Sequence, residues 1–343
     1  MRSPARLSPI EAAERLQSPW GHEDFSPLTG APALVVDLCA QENALDRDSR
    51  ALLIKRLAQL PCPTIALAAA APSSSGAEIA GGCDVAVHAE DELCEILEAV
   101  DRGPLATLAL VQLLRHSEGL DIHEGLIAES LVYSMLQAGP EFAAWRERHR
   151  ERRPPAARAE PAVLAEHEGE RLILILNRPE RRNAFSAKMR DALVQGLHLA
   201  MADPAIGEIV LRGAGPAFCS GGDLDEFGTL PDPATAHAIR STRNAGRLLA
   251  ACAKRLRAEL HGACVGAGME LPAFAGRVVA DPNTHFQLPE LSLGLVPGAG
   301  GTVSIPRRIG RQRTAWLALT GRRLDVRTAL EWGLVDEIGD VRG

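Results

Sequence analysis

Residues 261–302 read HGACVGAGMELPAFAGRVVADPNTHFQLPELSLGLVPGAGGT, and the fold of the chain is decided in this stretch. A turn of small residues, Gly266, Ala267 and Gly268, lets the backbone approach a ligand closely and leads into Glu270. A second acid, Glu290, follows in a Gln-Leu-Pro-Glu run ahead of Pro297-Gly298-Ala299-Gly300-Gly301. Two carboxyls beside glycine-rich turns suit proton transfer next to a carbonyl, because their surroundings can push their pKa values apart. Pro272 fits a helix after Gly266 only within its first turn, where a missing N–H costs nothing.

Outward from this stretch, apolar runs and turns alternate. Downstream of a linker at 154–161, rich in proline, the pattern gives a strand at 171–176 and a helix capped by Ser186 running to about 201. A strand at 208–211, a glycine-dense loop at 213–224, a helix over 233–256 and a strand at 259–261 follow. A helix at 313–320 and the segment 324–338 close the chain. Upstream, 1–30 reads as an irregular arm with a short helix at 9–16. A strand at 32–38, a helix at 46–60 with apolar spacing through Ala51, Leu52, Ile54, Leu57 and Leu60, and a strand at 64–71 suggest a parallel β-α-β unit. Residues 91–150 are almost wholly helical in pattern. The expected division is therefore arm 1–30, first region 31–153, linker 154–161 and second region 162–343.

The chain has 343 residues, 46% hydrophobic and 24% charged, with a net charge of −7. That composition is ordinary for a globular protein and disfavours nucleic acid as a partner. The seven cysteines form no CxxC pair and no metal-ligand spacing, so they read as small buried residues of a reducing compartment, with no metal expected. No apolar run is of bilayer length and the N-terminus lacks the apolar core of a signal peptide, which points to a cytoplasmic protein without a membrane partner.

Four motifs, taken in order, resemble the crotonase (enoyl-CoA hydratase/isomerase) superfamily: LNRPERRNAF at 176–185, AFCSGGDL at 217–224, GACVGAGMEL at 262–271 and FQLPELSLGLVPGAGGT at 286–302. LTGRRLDVRTALEWGLVDEI at 319–338 extends the match. The resemblance implies an α/β fold, a spiral of ββα turns, acting on an acyl-coenzyme A, with coenzyme A a part of the substrate and no separate cofactor. It implies catalytic roles for Glu270 and Glu290, and an oxyanion hole made of the N–H groups of Ser220 and Ala267, helped by the helix start after Gly266. Contacts to substrate and coenzyme A would come from Arg182, Ala184, Gly221, Gly222, Asp223, Leu224, Gly266 and Arg148. Keeping both acids favours hydration of a 2-enoyl-CoA; isomerisation, acyl-CoA hydrolysis and a non-catalytic acyl-CoA-binding or assembly subunit are the alternatives. Family members assemble as trimers or dimers of trimers, so a homo-oligomer is expected.

The first region resembles the family more faintly, as a degenerate copy. Glu78 stands where Glu270 stands in the second, but Ser73-Ser74-Ser75 replaces the glycine turn and no partner for Glu290 follows, so Glu78 reads as a relic and one active site per chain is expected. Residues 104–150 look like the family's C-terminal helices, which the second region lacks; they either complete it from upstream or pack on their own half. Arg146, Arg148 and Arg150 there are candidates for the coenzyme A phosphate, or a solvated charge run. Simpler explanations hold elsewhere. Cys219 has no adjacent His, Ser220 sits in no G-x-S-x-G elbow, Gly298–Gly301 lacks the Lys-Ser/Thr of a phosphate loop, and His261 and His285 are given no role.

Overall fold

The computed structural model describes residues 4–39, 45–69, 73–149 and 160–341. The chain divides into two compact units, each drawn from two stretches: Met1–Glu118 with Arg311–Gly321, and Gly119–Gly310 with Arg322–Gly343. These limits differ from the expected ones. The break falls at 118/119, and most of the 154–161 linker lies outside the described residues.

In the first unit, β1 (Ala5–Leu7), β2 (Leu34–Asp37), β3 (Thr64–Leu67) and β4 (Val85–Val87) form one parallel sheet in that order. β3 is buried along its whole length, as a parallel strand covered on both faces must be. Residues 4–30 are thus more ordered than expected. β1 adds an edge strand, and Ser8 and Glu11 close a capping box that starts α1 (Pro9–Arg15). A short helix α2 (Gly21–Asp24) follows, then α3 (Arg47–Leu57), α4 (Ser74–Gly82), α5 (Glu90–Arg102) and α6 (Pro104–Ser117). Leu34, Val36, Leu53, Leu57 and Ile79 pack in its core.

Ser73 caps α4 by accepting from Gly76 N–H, so the serine run is a helix start. Glu78 is exposed and pairs with Arg50 at 2.6 Å. The helix Arg311–Thr320 also belongs to this unit. Buried Asp84 joins it to the sheet, accepting from Thr64 N–H and Oγ1 at 2.8 Å each and pairing with Arg115 of α6 and, at 3.2 Å, with Arg311. Such a buried carboxylate is stable only because its oxygens are satisfied by donors. Burial pushes the Cys62 and Cys83 thiols up to about 12, but Cys39 and Cys94 are exposed, contrary to the expectation that all cysteines are buried.

The second unit begins with α7 (Ile122–Gln137), opened by an Asp121–Glu124 capping box, and α8 (Pro140–Arg148). The helical run expected over 104–150 is therefore split: α6 stays with the first unit, and α7 and α8 join the second. β5 (Val163–Glu168) pairs antiparallel with β6 (Arg171–Leu176). α9 (Ala187–Ala202), β7 (Glu208–Gly213), α10 (Pro233–Thr242) and α11 (Ala245–Ala251) follow. The single helix expected at 233–256 breaks because Asn244 turns its side chain onto Arg247 N–H at 2.9 Å and caps a new helix.

Next come β8 (Leu256–Leu260), β9 (Ala263–Val265), the one-turn α12 (Ala267–Glu270), β10 (Arg277–Ala280), β11 (His285–Gln287) and α13 (Gly301–Ile309). Past the helix of the first unit lie β12 (Leu324–Asp325) and β13 (Glu337–Ile338). The larger sheet has the order β13-β10-β8-β7-β6-β5, parallel except for the β6-β5 pair, and the smaller β12-β11-β9. Successive strands alternate between the sheets, β8 to β9 and β10 to β11, with helices between pairs. This is the expected ββα spiral, and single bridges Phe185–Gly222 and Cys219–Cys264 extend the smaller layer into earlier turns. Leu174, Leu193, Leu197, Leu211, Leu249 and Ala258 fill the space between sheet and helices. Among the described residues no helix is long and apolar enough to cross a membrane.

Candidate active site

A cavity of about 470 Å³ lies within the second unit. α7 and α10 line one side of it, the Gly298–Gly300 turn another, and Gly222, Ala267, Glu270 and Glu290 the reacting end.

Glu270 closes α12 and is 2% exposed. Its Oε2 accepts from Ala299 N–H at 2.7 Å and Gly301 N–H at 2.9 Å, so the 297–301 turn is wrapped around the carboxylate. A Cβ on Gly301 would stand 2.6 Å from Glu270 Cγ, which is why glycine is needed there. Glu290 follows β11, and its Oε2 is buried without a partner among the described residues. Its Oε1 lies over Gly266, where a Cβ would come within 2.5 Å and where φ is +50°. Glycine at 266 therefore serves both the turn and the acid.

A third carboxyl stands with these two. Glu129 of α7 is 2% exposed, accepting from Gly300 N–H at 2.7 Å, Thr302 N–H at 2.9 Å and Thr302 Oγ1 at 2.7 Å. Sequence reasoning placed Glu129 only in a helical segment. The available signal was an acid on the buried side of an amphipathic helix, a position that demands partners.

Burial, above all, raises all three carboxyls: Glu129 to about 7, Glu290 to about 8, and Glu270 well above the usual range. Repulsion from Glu290 and Glu129 adds to Glu270, and repulsion from Glu129 adds to Glu290. Carboxyls so placed titrate as a group and share protons near neutral pH, one ionised while a neighbour stays protonated. A carboxyl with a raised folded-state value supports stability below its unfolded value and loses that support as pH climbs through the folded one. For Glu290 the window runs from 4.5 to about 8. Replacing Glu290 by Gln should therefore raise the thermal midpoint relative to the wild type by a margin that grows across this window and flattens above it. A margin that does not change with pH in paired melting curves would contradict the shift.

Opposite the acids lie backbone donors. Ala267 N–H is at the first position of α12, and Gly222 N–H follows the loop bridge to Phe185; neither has a partner among the described residues. The two turns touch, since a Cβ on Gly266 would stand 3.6 Å from Gly221 Cα. Ala267 carries no strain, because the positive φ falls on Gly266. Ser220 requires a correction. Its N–H is spent on Arg182 O at 3.0 Å and it does not line the cavity; the wall N–H left without a partner among the described residues is that of Gly222, two residues on. Gly221, at a φ of +106°, turns the backbone between Ser220 and Gly222, which motif position could not reveal. The helix dipole is also smaller than expected, since α12 is a single turn before the 3-10 turn Pro272–Phe274.

The other expected contacts are scattered. Asp223 is on the wall, but its carboxylate is held by Arg178 at 3.3 Å and Arg181 at 3.0 Å, so it braces the loop. Gly221 and Gly266 support the turns from behind the wall, and Ala184 lies outside it. Arg182 is exposed at a left-handed φ of 48°, Leu224 is 52% exposed, and Arg148 is exposed with Nε on Ala144 O at 3.2 Å. None of these three lines the cavity, and Arg150 lies outside the described residues. His261 binds Gly215 O at 2.9 Å and is structural.

Residues 168–340 match the family described as enoyl-CoA hydratase/isomerase. The 2,3-dehydroadipyl-CoA hydratase of Escherichia coli (strain K12) is 36% identical over 167 residues, which are 49% of this chain and 65% of that protein. The 1,2-epoxyphenylacetyl-CoA isomerase of the same strain is 35% identical over 182 residues, 52% of this chain and 70% of that protein. The chain thus spans somewhat less than two thirds of the former's length. The crystal structure of enoyl-CoA hydratase from Thermoplasma volcanium GSS1 is 32% identical, covering 53% of this chain and 73% of that one, with a TM-score of 0.48.

Proposed function

From membership of the enoyl-CoA hydratase/isomerase family, to which this chain belongs, we propose that its second unit hydrates a 2-enoyl-CoA. One observation carries the reading: buried Glu270 and half-buried Glu290, whose Oε2 is buried, line one cavity with the N–H groups of Gly222 and Ala267, which have no partner among the described residues. The thioester oxygen sits between the two N–H groups, which stabilise the enolate form as charge moves onto it, each contributing about 10²–10³-fold. Water rests between the two carboxyls. As its oxygen bonds to the β-carbon, the ionised carboxylate takes its proton and the protonated carboxyl gives one to the α-carbon. The pair ends with the same number of protons it began with, a division of labour that raised and coupled titrations permit. The 2,3-dehydroadipyl-CoA hydratase relative supports this chemistry by its name, while the isomerase relative marks isomerisation as the rival.

The test is decay of the conjugated enoyl-thioester absorbance with identification of the product. A 3-hydroxyacyl-CoA supports hydration; a shifted double bond or free acid would replace it with isomerisation or hydrolysis, and no turnover with retained binding would leave an acyl-CoA binder. A pH profile adds a second check. Because a protonated carboxyl is required, activity falls as pH rises through about 8. Glu129→Gln removes a charge that raises both acids, so this alkaline limb moves to lower pH; an unmoved limb would separate Glu129 from the catalytic titration.

A further inference from the structure

One charged group on the cavity wall has no use in that mechanism. Arg240 of α10 lines the cavity and lies 4.9 Å from the centroid of the Tyr133 ring. Its Nε donates to Ser130 Oγ at 3.2 Å and an Nη to Ser134 Oγ, and His237 Nδ1 shares Ser130 Oγ at 2.9 Å. Each of these partners is uncharged or a weak base, and no carboxylate among the described residues forms an ion pair with Arg240.

The other cations on this wall are already paired: Arg190 holds Asp191 at 2.8 Å, and Arg243 reaches the same carboxylate at 3.6 Å. The nearest acid to influence Arg240, Glu129, is committed to Gly300 and Thr302. A half-buried guanidinium with only neutral acceptors lacks its usual counter-charge, and its planar fork is suited to a carboxylate. Its position sets the length of the ligand. The Tyr133 ring packs on Gly298, where a Cβ would stand 2.3 Å from Cδ2, and Ala299 beside it binds Glu270. Arg240 is therefore one aromatic ring beyond the turn that holds the catalytic acid.

We propose that the acyl group taken by this cavity ends in a carboxylate bound by Arg240, making the substrate class a short dicarboxylic enoyl-CoA. The proposal rests on the acyl-CoA reading above. Saturated thioesters test it by binding alone, since they cannot react. Glutaryl-CoA and pimelyl-CoA are titrated calorimetrically against valeryl-CoA and heptanoyl-CoA, neutral counterparts of equal chain length. In the wild type at least one diacid should bind about 30-fold more tightly than its neutral counterpart, and in Arg240→Gln that ratio should fall to about one. Arg240→Lys should retain part of it.

No preference in the wild type overturns the proposal, and this arm needs no variant to fold. A ratio unchanged in Arg240→Gln also overturns it, including when both ligands weaken equally, which would assign Arg240 to the coenzyme A moiety they share. Failure to bind any of the four overturns this proposal and the acyl-CoA reading together. Diacid preference without enoyl-CoA turnover would sink hydration only, and turnover without diacid preference would sink the carboxylate site only.

Discussion

Glu290→Gln should lower kcat for water addition by about 10²–10⁴-fold, the usual worth of a positioned proton-transfer group, with KM changed little. The expectation follows from its surroundings. The Glu290 Oε2 is buried with no donor among the described residues, so this carboxyl is not consumed in holding the fold. Gln is isosteric and leaves the Gly266 contact in place, and it removes a charge from a crowded group of acids. A stable variant with lost turnover is therefore the predicted combination. Glu270→Gln should lose as much activity but fold less well. Glu270 Oε2 accepts two backbone N–H groups, and an amide nitrogen turned toward Ala299 or Gly301 would meet a donor. Wild-type kcat in both variants would remove these residues from the chemistry.

A chain that starts at residue 160 should show no measurable turnover, while one that starts at Gly119 retains it. Both truncations uncover the 311–320 helix by removing the rest of the first unit, so that loss is common to the pair. They differ in α7 and α8. α7 carries Leu126, Glu129, Ser130 and Tyr133 of the cavity wall. Without Glu129, the Gly300 and Thr302 N–H groups lose their acceptor at a cost of about 1–3 kcal/mol each, and the turn holding Glu270 loses its support. Against a typical total stability of about 5–15 kcal/mol that is a serious loss before the bared apolar wall is counted. Circular dichroism melts and the enoyl-thioester assay on both chains test it; a folded chain from 160 with wild-type turnover would show that α7 is dispensable.

Part of this site could be read from residue order because the chemistry is local to short motifs. The 261–302 stretch carries both acids and one of the proposed oxyanion donors, and the glycines at 266 and 301 are where side chains would collide with those acids. The expected β-α-β start of the first unit and the strands at 171–176 and 208–211 rested on apolar runs, which report burial directly. Ser220 failed where motif position had to stand in for backbone direction: the backbone turn at Gly221 lies between the N–H that is spent and the one that is not. The 233–256 helix failed at a single cap, Asn244, a residue that reads equally well as helix surface or helix start.

The sequence by itself determined the family, the ββα spiral and the two acids for which proton transfer is proposed, since each depends on residues close together in the chain. Tertiary structure alone decided that α7 joins the second unit, that Glu129 holds the 300–302 turn from 171 and 173 residues away, and that Arg240 lines the cavity without a carboxylate partner. The physical reason is the same in each case. A buried charge is settled by what the fold brings to it, and no spacing along the chain records which distant donor or acid will arrive.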